Sequence, residues 1–202
     1  MTLRMEGNEK KKKHLLTFAL TVIVAWGLGT YAYVYFYPRL FYNRLERAIV
    51  RHGFGVMANG GRSSGVPVNT LYPMPTLASP STSKSAGMNQ DTLYTIGWLD
   101  LGKGPEILHV PDMADRYHSI QFIDPWGNVF AYVGSRTTGT RAGDYFITGP
   151  GWRGPIPVGA KQISSPNNKV LIIGRVLVKR DSDLATAYAL EKQIRLVPWL
   201  RQ

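Results

Sequence analysis

Residues 15–37 form an uncharged run of 23 residues, LLTFALTVIVAWGLGTYAYVYFY, which constrains the fold more than any other feature of the sequence. A helix of this length spans about 35 Å, enough for the hydrocarbon core of a bilayer with some tilt. The run exceeds the roughly 7–15 apolar residues of a cleaved signal peptide, and no small-residue cleavage pattern ends it. The sequence therefore predicts one transmembrane helix that is retained as a signal anchor.

The charges on either side of this run predict its orientation. Residues 10–13 are all lysine, and the positive-inside rule places such a cluster in the cytoplasm. Residues 1–14 would then be a basic cytoplasmic tail, and the rest of the chain would lie in the periplasm of a bacterium, anchored in its inner membrane. Four arginines just beyond the run oppose this orientation: Arg39, Arg44, Arg47 and Arg51. Several aromatic residues suit the membrane interface: Tyr31, Tyr33, Tyr35, Phe36, Tyr37, Phe41 and Tyr42.

Two features of the helical region predict contacts. Thr21, Ala25 and Gly29 recur every four residues and form a small-residue stripe, the usual geometry for close helix packing in lipid. Small residues are also common in membrane helices that pack against nothing specific. Residues 38–52 continue as an amphipathic juxtamembrane helix, whose apolar side rests on the bilayer or on the following domain. That side comprises Leu40, Phe41, Leu45, Ala48 and Ile49.

Composition excludes several classes of function. The sequence contains no cysteine, which rules out disulfides, thiolate metal sites and cysteine nucleophiles. There are 24 Lys+Arg and 13 Asp+Glu, a net charge of +11, but the basic residues are scattered and do not form the stripe that nucleic acid requires. We therefore expect no nucleic-acid partner. Basic residues beside a bilayer instead attract anionic lipid headgroups.

Residues 53–88 form an arm rich in Gly, Ser and Pro, without long periodic runs. Stretches of this length without secondary structure are uncommon within a compact domain, so the arm is either an ordered segment or a binding loop. Residues 61–65 match the G-x-S-x-G pattern of a hydrolase elbow. That pattern requires a preceding strand and a following helix, and the sequence predicts neither here, so we interpret it as a chance match.

Residues 89–202 read as a mostly β domain. Short β-rich runs alternate with Gly- and Pro-containing turns, which predicts an antiparallel sandwich or barrel-like fold. Asp181 or Ser182 can cap a closing C-terminal helix at 183–196, which Pro198 ends. The predicted strands are 93–101, 107–110, 117–123, 129–133, 145–148 and 170–178, of which the last is apolar on both faces.

An ordered series of short motifs in this domain resembles one known family. The series runs N-x-D-T-L-Y from residue 89, W-L-D-L from 98, G-P at 104, V-P-D from 110, R-Y at 116, N-x-F from 128, R-T-T-G from 136, A-G-x-Y from 142, G-P-G-W from 149, I-x-S-P from 163 and G-R at 174. Each motif alone is weak, but the ordered set, ending in the helix with Gln193, resembles the domain of unknown function 1254 family over roughly residues 89–198.

This resemblance implies a β-sandwich-like domain and no settled activity. Many members of the family continue into a second domain of unknown function. The few residues that follow the domain at 89–198 in this sequence are too short to form one. We therefore expect another polypeptide, also membrane-anchored, to supply that second domain. The arm at 53–88 departs from the pattern of longer relatives.

The polar residues of the matching motifs are the candidate ligand-binding residues: Asn89, Asp91, Tyr94, Asp100, Arg116, Asn128 and Arg136. Asp91 and Asp100 could act as a general acid and base if the fold brought them together, because two carboxylates in one cleft have split pKa values. Alternatively, Asn89 and Asp91 cap the turn into the first strand. Arg136 could similarly hold the turn at 136–139 by bonding backbone carbonyls or a carboxylate such as Asp144. The catalytic residues stay unknown.

Metal binding would depend on histidine. His109 and His118 flank the turn at 111–115, and in a hairpin they would be cross-strand neighbours with Cβ atoms about 5 Å apart. With Asp112 or Asp115 they could form an oxygen and nitrogen site. Such histidines are more often ordinary strand residues, so we expect no metal.

No other cofactor is predicted. The sequence lacks the phosphate-cradling loop and the dinucleotide-binding motif, so we expect no nucleotide cofactor. Aromatic residues could stack on a sugar or lipid headgroup, although most aromatic residues of small β domains lie in the core. The aromatic candidates are Trp126, Tyr132, Tyr145 and Trp152.

Two functional classes remain. In the first, the chain is a non-catalytic accessory subunit of an inner-membrane complex, whose β domain packs on partner subunits. The small-residue stripe, the basic neck and the long arm favour this class, because such arms gain order along a partner. In the second, the chain is an anchored periplasmic enzyme or small-ligand-binding protein that uses the cluster at 89–94. Convergence of Asp91, Tyr94 and Arg136 in one cleft would favour the second class.

Overall fold

The computed structural model describes residues 2–53, 65–79 and 88–199, with side chains from residue 11 onwards. It divides into two compact units, Met1–Phe41 and Tyr42–Gln202. Most of the G-x-S-x-G match, including Ser63, lies outside the described residues.

The first helix, α1, spans Thr2–His52 without interruption, so the predicted tail, apolar run and amphipathic segment are all helical. Pro38 lies within it. Its candidate membrane-spanning part has a mean hydropathy of 1.7, and the helix is long and apolar enough to cross a bilayer. Thr17, Thr21 and Thr30 each donate a side-chain hydrogen bond of 2.9 Å to the carbonyl four residues earlier. These hydroxyl groups are therefore satisfied within the helix and need no water.

The second unit contains a five-stranded antiparallel sheet in the order β1-β2-β8-β4-β5. Its central strand is β8, which pairs with β2 over nine residues and with β4 over six. The strands are β1 (Tyr72–Pro73), β2 (Thr92–Asp100), β4 (His118–Ile123), β5 (Val129–Gly134) and β8 (Lys169–Leu177). Strand β1 belongs to the predicted arm, so part of that arm is an edge of the sheet.

A four-stranded sheet in the order β7-β6-β3-β9 covers the first. Its strands are β3 (Glu106–Val110), β6 (Gly143–Thr148), β7 (Lys161–Ser164) and β9 (Arg195–Pro198). The β6–β7 pair is parallel and the other pairs are antiparallel. A 3-10 turn at Leu101–Lys103 follows β2, and a short helix, α2 (Leu184–Glu191), precedes β9.

The main core lies between the two sheets. Inward side chains of β2, β4 and β8 pack with those of β3 and β6, and α2 contributes Ala187. Alternation explains this arrangement, because every second residue of a strand points to the same face. The prediction of a mostly β, sandwich-like domain with a C-terminal helix is confirmed.

The last part of α1 closes a second, smaller core on the other face of the five-stranded sheet. Tyr42 is 5% exposed and meets Trp98 edge to face, with ring centroids 6.5 Å apart. Leu45 and Ile49 pack into the same cluster, as the amphipathic pattern predicts. Leu40 and Phe41, predicted on the same side, are exposed.

The predicted C-terminal helix is too long. Helix α2 ends at Glu191, three backbone-bonded turn residues follow, and the chain then pairs with β3 as strand β9. Leu196, which extends the helical pattern in the sequence, instead lies opposite Leu108 in the sheet. Strand pairing with a distant segment outweighs the local pattern here.

Candidate functional site

The two candidate carboxylates are far apart. Asp91 immediately precedes β2 and Asp100 is its last residue, so a whole strand of about 30 Å separates them. The acid–base pair suggested by the sequence is therefore wrong.

The cluster at 89–94 is arranged as a turn. The Asn89 backbone N–H donates to the Tyr94 hydroxyl over 2.7 Å, and the Asp91 carbonyl accepts from the Val178 N–H over 2.8 Å. Tyr94 is 4% exposed, and the Arg175 guanidinium lies 5.3 Å from its ring centroid. The backbone of Asn89 and Asp91 and the Tyr94 side chain therefore hold the entry to β2, and capping by the Asn89 and Asp91 side chains stays a prediction.

Arg116 forms a buried ion pair. Its guanidinium donates to both carboxylate oxygens of Asp183 and, over 2.8 Å, to the Leu177 carbonyl. The Arg116 guanidinium holds the pKa of Asp183 well below its usual range. Because Asp183 immediately precedes α2, this pair ties the start of β4 to the helix.

Asn128 and Arg136 each act locally. The Asn128 side-chain amide donates to Asp124 Oδ2 over 3.1 Å, within the turn between β4 and β5. The Arg136 guanidinium lies over Tyr117, 5.6 Å from the ring centroid. Within the described residues Asp144 pairs with His109, and no ion pair between Asp144 and Arg136 is present.

The predicted hairpin that would pair His109 with His118 is wrong. Strand β3 pairs with β6 and β9, whereas β4 belongs to the other sheet, so the turn at 111–115 crosses between sheets. His109 Nδ1 lies 2.7 Å from Asp144 Oδ1 on an outer face. His118 is 1% exposed, and burial lowers its pKa. Over the part of the chain that the structure describes, no three His, Asp or Glu residues are grouped to hold a metal ion.

A pocket of about 460 Å³ lies where three chain segments meet. The segments are the 3-10 turn after β2, the loop after β6 and residue 168, just before β8. Their polar side chains are Lys103, Arg153 and Asn168, and Trp152 contributes an indole. A Cβ placed on Gly149 would lie 2.6 Å from Asn168 Oδ1, so a larger residue there would displace the Asn168 side chain from its position beside the loop.

The charges around this pocket are predominantly positive. Its lining contains two cations and no Asp or Glu. The nearby Asp100 accepts from the Gly102 N–H over 3.2 Å and from Lys169 Nζ over 3.2 Å, and Lys169 also donates to Glu46 Oε1 over 3.1 Å. Asp100 and Glu46 share the single cation Lys169 and lie outside the lining, so the capacity of the pocket to hold an anion depends on Lys103 and Arg153.

Sequence reasoning missed this pocket. Both of its loops contain Gly and Pro, which predict turns between strands. Neither loop has the spacing of a known phosphate-binding motif, and only the folded sheets bring residues 103, 153 and 168 together. The only sequence signal was the unusual glycine content of G-K-G-P at 102–105 and G-P-G-W-R-G at 149–154.

Two solved structures are similar to this chain to different degrees. The VPA0106 protein from Vibrio parahaemolyticus is 25% identical, with a TM-score of 0.62, over 85% of this chain and 40% of that protein. This chain therefore spans less than half the length of that relative. An uncharacterised protein from Burkholderia cenocepacia is 15% identical, with a TM-score of 0.39, over 59% of this chain and 36% of that one. No curated protein matches the chain.

The family itself is established by sequence. The model of a family described as proteins of unknown function matches residues 68–198, and so well over half of the chain. The match begins at residue 68, so the expectation that the whole arm departs from the family is wrong for residues 68–88, in agreement with the pairing of β1 to β2. This chain therefore belongs to the DUF1254 family, as the ordered motifs suggested.

Proposed function

We propose that this chain is a single-pass protein of the bacterial inner membrane that serves as a non-catalytic accessory subunit. Its N-terminus lies in the cytoplasm, and its β domain lies in the periplasm, packed on partner subunits. The exposed apolar surface of α1 carries the proposal: Leu16, Phe18, Ile23, Trp26 and Leu28 are all more than half exposed. Continuous apolar surface of this extent needs lipid or another protein around it.

The placement of the polar candidates supports a non-catalytic role. Arg116 is engaged by Asp183, Asn128 by Asp124 and Tyr94 by Arg175. Asp91 and Asp100 lie at opposite ends of one strand. Arg116, Asn128 and Tyr94 therefore have contacts within the fold, and the candidates do not all meet in one cleft, since Asp91 and Asp100 are a strand apart.

The small-residue stripe supports a partner within the membrane. The Thr21 hydroxyl is satisfied by its own helix, and a Cβ added at Gly29 would meet nothing within 4 Å. The stripe is therefore open for another helix to approach closely. The partners we propose are membrane-protein subunits, among them a separate chain that carries the second domain found in many family members. Anionic lipid headgroups would surround the basic ends of the helix.

Co-purification from membranes tests this function. A tagged full-length chain is extracted in mild detergent, and stoichiometric partners are identified by mass spectrometry. Gly29→Leu should reduce the recovery of partners, because the added side chain fills the stripe without a clash inside the chain itself. Gly27→Leu is the matched control: it also meets nothing within 4 Å, but it lies about 200° around the helix.

The results of this co-purification distinguish a specific helix contact from a chain without partners. Loss of partners with Gly29→Leu and retention with Gly27→Leu would support a specific helix contact. A wild-type chain that purifies alone, or only with itself, would contradict the subunit role.

A further inference from the structure

We propose that the pocket between the two glycine-rich loops binds the phosphate group of an anionic lipid headgroup, and that the loop at 149–160 docks on the bilayer surface. This proposal depends on the membrane-anchoring part of the proposed function, and it is independent of any protein partner.

The charge of the pocket favours a phosphate group. Lys103 and Arg153 are exposed and line the same cavity, and no ion pair engages either side chain within the described residues. An arginine guanidinium and a lysine ammonium are the usual side-chain partners of phosphate oxygens. The Asn168 amide can add a neutral hydrogen bond. A cationic ligand would find no carboxylate in this lining.

The shape of the pocket favours the same ligand. Five of its twelve lining residues are glycine, so a ligand can approach the backbone closely. Gly104 and Gly151 have φ angles of +138° and +70°, and a Cβ at either would meet nothing within 4 Å. Backbone conformation therefore requires glycine at these two positions, while the space in front of them stays open. Both loops thus have a defined shape around a cavity large enough for a headgroup.

The loop that supplies Arg153 also carries apolar residues that the fold does not bury. Ile156 is 47% exposed and Val158 is fully exposed, and the next cation after them is Lys161. Single exposed apolar residues are ordinary. Two on one loop, bracketed by cations, match segments that insert apolar side chains at the acyl boundary while basic residues meet the headgroups.

Trp152 joins these two features. Its ring packs edge to face on Phe146, with centroids 5.8 Å apart, and its side chain also lines the pocket. This contact holds the loop that carries Arg153, Ile156 and Val158 against strand β6. A free phosphate would occupy only the pocket and leave the exposed Ile156 and Val158 without a role. The combination of both features therefore favours a lipid over a soluble phosphate.

A fluorescent reporter on the loop tests the proposal in the full-length chain. The sequence has no cysteine, so Val158→Cys can be labelled at one site with an environment-sensitive dye. The labelled chain is placed in nanodiscs of phosphatidylcholine alone or with increasing phosphatidylglycerol. We expect a blue shift of the dye that depends on phosphatidylglycerol.

The Lys103→Ala/Arg153→Ala variant should weaken this response. Each basic residue near an anionic surface contributes about fivefold to affinity, so the pair should contribute about 25-fold. Arg141→Ala/Arg180→Ala removes the same charge from exposed positions outside the pocket and should leave the response unchanged.

Three results would overturn the proposal. One is a shift of equal size in neutral and anionic nanodiscs, and another is an undiminished response in the Lys103/Arg153 variant. The third concerns the source of the phosphate. If the chain binds inorganic phosphate in calorimetry, the Lys103/Arg153 variant loses this binding, and anionic lipid gives no shift of the dye, then the ligand is a soluble phosphate. Incorporation of the chain into nanodiscs is measured separately, so failure of the membrane anchor is distinguishable from failure of the pocket.

Discussion

At the scale of single residues, the most unusual group is a carboxylic acid inside the domain. Glu191, at the end of α2, is fully buried, and its Oε1 accepts a hydrogen bond of 2.6 Å from the Thr95 hydroxyl. No hydrogen bond to Oε2 is present within the described residues. Burial raises the pKa of Glu191 to about 7, so the folded domain holds this group protonated under mildly acidic conditions.

The raised pKa predicts that the domain is less stable at alkaline pH. Below 4.5, the ordinary pKa of glutamate, both folded and unfolded chains are protonated at this site. Between that pH and about 7 only the folded chain keeps the proton, so the free energy of unfolding falls as pH rises. The loss should reach roughly 3 kcal/mol by pH 8. Chemical denaturation of the full-length chain in detergent, followed across this pH range, measures it.

Glu191→Gln provides the corresponding variant. It keeps the shape and the bond from Thr95 but cannot ionise, so at pH 8 it should be more stable than the wild type by about 2–3 kcal/mol, with little difference at low pH. Asp181→Asn, at an exposed position, is the control and should not change the profile. Parallel pH profiles for Glu191→Gln and the wild type would contradict the assignment.

The Arg116–Asp183 pair predicts a different pH dependence. The lowered pKa of Asp183 contributes stability above its ordinary value of 3.8, and this contribution is lost as pH falls towards the folded-state pKa. Arg116→Met should therefore lower Tm at neutral pH. It should also reduce the loss of stability that the wild-type domain shows as pH falls below about 3.8. Arg136→Met removes an exposed arginine that stacks on Tyr117, which is worth about 0.5–1 kcal/mol. We expect Arg116→Met to cost several times more, and equal losses would rule out a structural role for the ion pair.

At the scale of elements, alternation predicted strands better than it predicted their partners. The six predicted strands all exist, because β2 and β8 are long and apolar and the others have clear turns around them. The three missed strands, β1, β7 and β9, have two to four residues each and gain their stability from pairing. The predicted hairpin of His109 and His118 is wrong because β3 and β4 belong to different sheets. A short turn can connect two strands of one sheet or cross between two sheets, and the local sequence does not distinguish these cases. Pairing with distant segments is invisible in a local pattern.

The same limit applied to the candidate site. Its motifs identified Asn128, which holds a turn through Asp124 four residues earlier, but they did not reveal that Arg116 pairs with Asp183, 67 residues away. The pocket requires residues 103, 153 and 168 together, and only the order of the two sheets brings them into contact. No single-sequence pattern encodes that order.

The packing of the last part of α1 predicts that this segment stabilises the β domain. Tyr42 covers Trp98, which is 1% exposed, so Tyr42→Ala should lower the free energy of unfolding by about 3–5 kcal/mol. Tyr42→Phe keeps the ring and should be close to neutral. Arg44→Ala is the control, because Arg44 lies only two residues from Tyr42 but is exposed. Denaturation midpoints measure all three variants, and a loss for Tyr42→Ala no larger than for Arg44→Ala would show that the segment does not seal the sheet.

At the scale of the whole molecule, the two units meet different requirements. The β domain buries its large apolar side chains between two sheets and under the end of α1. In α1, side chains from Leu15 to Phe41 stay exposed, and the 18-residue window within it reaches a mean hydropathy of 1.7. One unit therefore folds by burying its own core, whereas the other needs an apolar environment from outside. The membrane span that we propose would supply that environment, and the charged residues at both ends of the helix would then contact water.

Site-specific labelling tests the orientation that follows from the lysine cluster. Because the sequence has no cysteine, single cysteines introduced at exposed positions report on one location each. Arg141→Cys, in the β domain, should react with a membrane-impermeant thiol reagent in intact spheroplasts. Lys12→Cys should react only after lysis, since positive-inside insertion places it in the cytoplasm. Both positions are exposed, so burial cannot explain a difference between them. The reverse pattern would show that the arginines after residue 38 set the orientation, and reaction of both in intact spheroplasts would show that α1 does not span the membrane.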